Sequence, residues 1–385
     1  MPDFKGLIHS KLPKAGTTIF TIMSGLANEV GAINLSQGFP GFPVSGKLIE
    51  LYHKAMLEGH NQYAPMPGSM PLRERIAEKM ENLYSCKYNP ETEITITAGG
   101  TQALYTAISA FVQEGDEVIV LEPAYDSYIP AIELAGGIPV HVHLQPPLYG
   151  VPWEEIRKLV NQRTRMIMIN TPQNPTGTIL TAKDMLQLEK LTAGTDIIIL
   201  SDEVYEHIIF DGYEHQSVAR FPRLAERSLI VYSFGKTFHA TGWKTGYCIG
   251  PANLMKEFRK VHQFMVFSVN TPLQYALAEY MLDKSNYSGL AEFYQEKRDY
   301  FRMLLKGSKF KVLPCIGSYF QLLDYSAISN EKDTDFAVQL TKENGVASIP
   351  VSVFYNVPKD YKLLRFCFAK ENVMLERAAE RLINI

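Results

Sequence analysis

Between residues 93 and 250, short apolar runs alternate with stretches of helical period. Runs at 93–97, 117–121, 138–143, 166–170, 197–200, 228–234 and 247–249 have strand length. Most are continuous rather than alternating, which predicts strands covered on both faces. Residues 101–112, 127–135, 153–160 and 183–191 carry apolar positions at helical spacing. Strand–helix alternation of this kind predicts an α/β fold around a mostly parallel sheet. The flanks differ. Residues 1–45 hold one amphipathic stretch, 18–30, and then the turn-rich segment Gln37-Gly38-Phe39-Pro40-Gly41-Phe42-Pro43. Residues 280–385 mix helices with short strands at 319–323 and 364–368. Chain termini often lie close together. The two ends, 1–45 and 280–385, therefore read as one smaller α+β domain beside a large domain of residues 46–279.

Composition narrows the partners. The chain has 385 residues, with Lys+Arg 38 against Asp+Glu 41 and 46% hydrophobic residues, so it is globular rather than disordered. There is no basic excess to track a phosphate backbone, so no nucleic-acid partner is expected. No apolar window is long enough for a transmembrane helix, and no apolar stretch of a secretory signal follows Met1. A cytoplasmic protein with no membrane partner is expected. Cys86, Cys248, Cys315 and Cys367 lie far apart, which predicts buried, reduced thiols. His141 and His143 share a strand face but lack a third ligand nearby in sequence, so no metal is expected.

Three familiar patterns fail. Gly235-Lys236-Thr237 resembles the end of a phosphate-binding loop, but Ile230 stands where its first glycine belongs. No Gly-x-Gly occurs, so the dinucleotide fingerprint is absent. Gly246-Tyr247-Cys248-Ile249-Gly250 mimics a nucleophile elbow, yet its cysteine lies inside an apolar run and reads as a core strand.

Four segments do stand at predicted strand ends, where open α/β sheets bind ligands. Thr97-Ala98-Gly99-Gly100-Thr101-Gln102 leads a strand through two glycines into a helix. Gly100 and Thr101 could cradle a phosphate with backbone N–H groups, although a plain tight turn has the same sequence. Asn174, in a Pro- and Gly-fixed turn after an apolar strand, would present an amide at a strand's carboxyl end or serve the loop alone. Asp202 follows an apolar run, so its carboxylate needs a donor or cationic partner unless it caps a helix. Tyr205 would reach the same place if a helical turn begins there. Lys236 ends another apolar run. Burial there lowers a lysine pKa and suits Schiff-base chemistry, whereas a surface lysine is the plain alternative. Ser233 and Lys244 bracket it with a hydroxyl and a second cation suited to a phosphate. Pyridoxal 5'-phosphate asks for this set: a lysine for its aldehyde, a carboxylate for its ring nitrogen and donors for its phosphate.

At these residues the sequence resembles the class I/II pyridoxal-phosphate aminotransferases of fold type I. Ser233 to Gly246 looks like that family's lysine signature. Asn34-Leu35-Ser36-Gln37-Gly38-Phe39-Pro40, Asn61-Gln62-Tyr63-Ala64-Pro65 and Arg365-Phe366-Cys367-Phe368 are similar to the branch of methionine aminotransferases and kynurenine aminotransferase–glutamine transaminase K. The similarity runs from about residue 10 to the C-terminus. It implies a large, mostly parallel-sheet domain, a smaller α+β domain and pyridoxal 5'-phosphate as cofactor. It implies roles as well. Lys236 would carry the cofactor as a Schiff base, Asp202 would pair with the ring nitrogen, and Tyr205 and Asn174 would bond the ring hydroxyl oxygen. Tyr125 would stack on the ring. Gly100, Thr101, Ser233 and Lys244 would hold the phosphate, joined by Tyr63 from the other subunit of a homodimer. Arg365 would grip the substrate α-carboxylate, helped by Gly38 and Asn174. Lys244 stands where many members have Arg, so its phosphate contact would lack the guanidinium fork.

The implied reaction is ping-pong transamination between an amino acid and a 2-oxo acid, with Lys236 as general base. Ile19 and Phe20 would line the side-chain pocket. Aspartate-specific relatives carry an arginine near the stretch Phe267-Ser268-Val269-Asn270, and none is present here. An apolar, thioether or aromatic donor is therefore expected, methionine before phenylalanine, glutamine or kynurenine. A cysteine-conjugate C–S β-lyase on the same fold is the alternative, and a non-catalytic binding protein is a third reading.

Overall fold

The computed structural model describes residues 3–385. In chain order its strands are β1 (Ile33–Asn34), β2 (Ile94–Thr97), β3 (Glu117–Glu122), β4 (Ile138–His143), β5 (Thr164–Asn170), β6 (Ile198–Asp202), β7 (Ser228–Ser233), β8 (Gly246–Ile249), β9 (Lys311–Val312), β10 (Phe320–Asp324), β11 (Val346–Ala347), β12 (Ile349–Pro350) and β13 (Leu363–Cys367). The main sheet has seven strands in the order β2-β8-β7-β6-β5-β3-β4. Only β8 runs antiparallel, to both of its neighbours.

The continuous apolar runs are explained by two cores, one on each face. In β3, Val118 and Val120 enter one core while Ile119 and Leu121 enter the other. Met166 and Met168 of β5 divide from Ile167 and Ile169 in the same way. Strand side chains alternate faces, so a strand between two cores must be apolar at every position. Each fully buried side chain contributes about 1.5–3 kcal/mol. The helix Gly100–Phe111 closes one face with Ala103, Leu104, Ala107, Ile108 and Phe111.

The antiparallel sense of β8 was not visible in the pattern. Its connection from β7 holds only two single-turn helices, Phe234–Thr237 and Thr241–Trp243. No crossover helix returns the chain to the start of the sheet, so it folds straight back.

The two ends of the chain meet. The helix Ile19–Val30 is capped by the Thr18 side chain and stopped by Gly31 at φ 64. Beyond it, β1 pairs in parallel with β11, and the Leu35 carbonyl accepts from Cys367 N at 2.8 Å. A four-stranded antiparallel sheet, β12-β13-β10-β9, carries Arg365 at its centre. The helices Gly46–Leu57 and Met70–Tyr84 pack instead against the helix Thr271–Tyr280. Among the described residues no helix is long and apolar enough to cross a membrane.

Candidate active site

A cavity of about 560 Å³ lies where the carboxyl ends of β2, β5, β6 and β7 face β13 and the segment around Gly38. Gly38, Gly100, Thr101, Tyr125, Asn174, Asp202, Tyr205, Ser233, Lys236, Lys244, Arg365 and Phe20 all line it. Two expected residues do not. Ile19 packs against the core instead. Successive helix residues point about 100° apart, so it cannot share the direction of Phe20. Tyr63 is 81% exposed and meets Phe267 edge-on at 5.2 Å, outside the cavity of its own chain.

One end of the cavity is built for an anion. Gly99 turns the chain at φ 84 into the helix Gly100–Phe111, whose first-turn N–H groups have no partner within the helix. Lys244 closes on that turn, its Nζ 3.6 Å from where a Cβ on Gly99 would stand. Gly246 makes the approach possible. A Cβ there would come 2.5 Å from the Tyr232 carbonyl and 3.2 Å from Gly100 N.

Asp202 is the last residue of β6 and is buried. Its Oδ1 accepts from Val204 N at 3.3 Å and its Oδ2 from the Tyr128 hydroxyl at 2.5 Å. Burial still pushes its pKa up to about 6. A carboxylate so placed favours a cationic partner in the cavity. Tyr205 follows on a turn closed by the bond from Ile208 N to its carbonyl. Its ring meets Tyr319 edge-on at 5.1 Å, and burial raises the phenol pKa.

Lys236 lies on the single-turn helix Phe234–Thr237 at the end of β7. Its Nζ is 3.0 Å from the Gly38 carbonyl and 2.9 Å from the Tyr319 hydroxyl. It forms no ion pair among the described residues, and burial pulls its pKa down to about 8. A substantial fraction is thus neutral and nucleophilic near physiological pH.

At the opposite end Arg365 is 1% exposed. Its Cζ lies 4.0 Å over the Phe320 ring and 5.2 Å over that of Phe20. One Nη donates to Asn174 Oδ1 and the other to the Ser36 carbonyl, each at 2.8 Å. The buried Nε has no partner among the described residues. No carboxylate of the chain pairs with this guanidinium among the described residues, and burial lowers its pKa to about 10. A buried cation in that state calls for an anionic ligand.

Two contributors escaped the sequence reading. Tyr128 donates to Asp202, and Tyr319 touches Lys236. Tyr128 follows Asp126-Ser127 and Tyr319 follows Gly317-Ser318, and no spacing in the sequence ties either hydroxyl to the site. His141 and His143 are also explained, since they lie 2.7 and 3.1 Å from the buried Glu122.

The family model for aminotransferase class I and II matches residues 30–382. The chain belongs to this family. The aminotransferase is 51% identical to the methionine aminotransferase of Escherichia coli over 97% of each chain. It is 34% identical to human kynurenine–oxoglutarate transaminase 1 over 93% of each. A crystal structure of an Escherichia coli protein, described as having a methionine aminotransferase function, matches at a TM-score of 0.97 and 50% identity. It covers 98% of this chain and 100% of that one. The fold is therefore the fold-type I α/β architecture, and the enzyme is a pyridoxal-phosphate-dependent transaminase.

The residues present fit that cofactor on their own chemistry. No acid among the described residues pairs with the amine of Lys236, the Asp202 carboxylate is buried in the same cavity, and the Gly99–Lys244 turn offers N–H groups and a cation to a phosphate.

Proposed function

We propose that this aminotransferase moves the amino group of methionine, or of a similar apolar, thioether or aromatic amino acid, to a 2-oxo acid. The observation that carries the reading is the distribution of cations. Of the residues lining the cavity, only Lys236, Lys244 and Arg365 are cationic. Lys244 serves the phosphate with Gly100, Thr101 and Ser233. Lys236 anchors the cofactor. Arg365 takes the α-carboxylate, its unpartnered Nε supplying a further donor. None is left for a second carboxylate on the substrate, and Asp126 places an acidic group in the same lining.

The bound cofactor supplies an electrophilic aldehyde and a ring that takes up the negative charge left at Cα. The chain does the rest. Asp202, oriented by Tyr128, balances a proton on the ring nitrogen. Asn174 has committed its oxygen to Arg365, so its NH₂ is the group it offers to the ring hydroxyl oxygen, beside Tyr205. Tyr125 provides an aromatic face for the ring. Phe20 and Gly38 border the substrate. A Cβ on Gly38 would lie 2.9 Å from the Phe320 ring, so any larger residue would intrude there. Lys236, once free, accepts the α-proton.

The same reading makes the functional unit a cytoplasmic homodimer. Tyr63 would complete the phosphate site of the partner, consistent with its exposure beside Phe267 and near the 88% exposed Phe264. It also groups residues 1–45 and 280–385 into a small domain against 46–279, as the β1–β11 pairing supports.

The test is a comparison of initial rates with one 2-oxo acid acceptor. Methionine should exceed aspartate in kcat/KM by about 100-fold or more, since one missing charged contact is worth about 3 kcal/mol. Faster turnover of aspartate would overturn the substrate assignment. Pyruvate, ammonia and thiol from a cysteine conjugate, without amino transfer, would overturn transamination itself.

A further inference from the structure

Tyr319 is fully buried, lies outside the cavity lining, and has no part in the reading above. Its hydroxyl donates to the Gly38 carbonyl at 2.7 Å and lies 2.9 Å from Lys236 Nζ. Nζ is in turn 3.0 Å from the Gly38 carbonyl. These three atoms form a closed triangle whose hydrogens can be counted. A phenol has one proton, here committed to Gly38, so its oxygen meets Nζ as an acceptor. The carbonyl oxygen has two lone pairs, one for Tyr319 and one for Nζ. A neutral amine has two N–H bonds and one lone pair. Both N–H bonds are taken, and the lone pair is left uncommitted.

We propose that Tyr319 is a further catalytic residue of the transamination: with the Gly38 carbonyl it docks the free ε-amine of Lys236, leaving the lone pair to take the substrate's α-proton. This rests on the aminotransferase reading and extends it. Lys236 has two tasks, anchoring the cofactor and moving a proton. The second needs a free, neutral amine held in place rather than a mobile side chain. In the proton step the Cα–H bond breaks, its electron pair stays with the substrate, and the Lys236 lone pair forms a new N–H bond. The amine becomes an ammonium, and passing the proton on restores the docked neutral form.

The surroundings agree. Asp202, Arg365, Lys244 and Cys367 are the titratable neighbours of Nζ, with the rings of Tyr205 and Tyr319 at 5.6 and 5.5 Å. None of them is a carboxylate paired to the amine that would pin it as an ammonium. The two docking oxygens favour N–H donors without supplying a negative charge. Removing one of them should disfavour the ammonium more than the amine, because the charged donor bonds more strongly.

The experiment is Tyr319→Phe, which keeps the ring packing and removes only the hydroxyl. In the cofactor-free protein, acetylation of Lys236 by acetic anhydride is followed against pH by peptide mass spectrometry. The midpoint should fall by roughly half a pH unit or more relative to wild type. In the pyridoxal-phosphate-loaded protein, kcat with methionine should fall about tenfold while KM stays within about threefold, and the α-deuterium isotope effect should rise. A second variant, 3-fluorotyrosine at position 319, keeps a weaker acceptor and should shift the midpoint in the same direction by less. An unchanged midpoint overturns the dock, and an unchanged kcat overturns its catalytic role. The midpoint needs no turnover. Failure of wild type to transaminate any amino acid would therefore overturn the functional reading separately.

Discussion

Arg365 shows how a single residue can disclose a ligand. A guanidinium with 1% exposure, three aromatic rings around it and a partnerless Nε is costly unless an anion joins it. Arg365→Lys keeps the charge and loses the planar fork. The KM for methionine should rise by about 30-fold or more, because a buried charge contact is worth about 2–5 kcal/mol. Cofactor absorbance should be unchanged, since Arg365 does not hold the phosphate. Steady-state kinetics beside a cofactor titration checks both halves, and an unchanged KM would contradict the α-carboxylate role. At this scale the sequence was readable wherever a polar residue interrupts or ends an apolar run. Lys236 and Asp202 do so, Asn174 stands in the turn that follows one, and Arg365 lies within one. Tyr128 and Tyr319 were not readable. A tyrosine hydroxyl leaves no mark in the local pattern until the fold brings it against a partner 74 or 83 positions away.

The element carrying Asp202 and Tyr205 is anchored from behind. Glu203 points away from the cavity and accepts from Ser201 at 2.8 Å, Val218 N at 3.1 Å and Tyr232 at 3.1 Å. His215 Nε2 lies 2.8 Å from Oε2, the oxygen that also accepts from Tyr232. Three residues on, Glu206 pairs with the buried Lys79 and accepts from Tyr84 at 2.5 Å, while Lys79 donates to Tyr247 at 2.8 Å. Alternation along the strand end explains the division, Asp202 to the site and Glu203 to the network. Lys79→Met leaves Glu206 without its cation and should cost about 3–5 kcal/mol in urea unfolding. Adding Glu206→Gln should recover much of that loss. A loss below about 1 kcal/mol in the single variant would show that the pair is not what holds this turn. Nothing in the sequence hinted at this cluster, because its members come from the helix Met70–Tyr84, the turn after β6, and strands β7 and β8. The seven strands of the main sheet were readable to within a residue or two, most of them as continuous apolar runs, whereas the two-residue strands β1, β9, β11 and β12 were too short to leave a pattern.

For the whole molecule, pH acts through histidines that the fold keeps neutral. Burial lowers the pKa of His207 to about 3 and those of His239 and His262 to about 4. Unfolded histidines protonate near 6.5. Between about 4 and 6.5 the unfolded chain therefore holds more protons, so stability rises with pH there and is lost as pH falls. Asp202, whose pKa burial raises to about 6 in the cofactor-free protein, opposes this, as do Asp126 and Asp333, which burial also raises, but the three histidines are displaced across the whole interval. The Tm of the cofactor-free protein should drop between pH 7 and pH 5, and His239→Asn should flatten the slope. Asn suits the site because His239 sits at φ 56, a region Asn tolerates. A slope unchanged in the variant would contradict the assignment.

On the proposed reading, one cavity holds a lysine-anchored cofactor and hands an amino group across it. The most direct measurement is the visible absorbance of the pyridoxal-phosphate-loaded protein through one cycle of additions. Methionine should bleach the long-wavelength band and a 2-oxo acid should restore it, with Lys236→Ala completing neither change at the wild-type rate. A band that methionine leaves untouched, or a Lys236→Ala protein that cycles as fast as wild type, would overturn this role for the cavity.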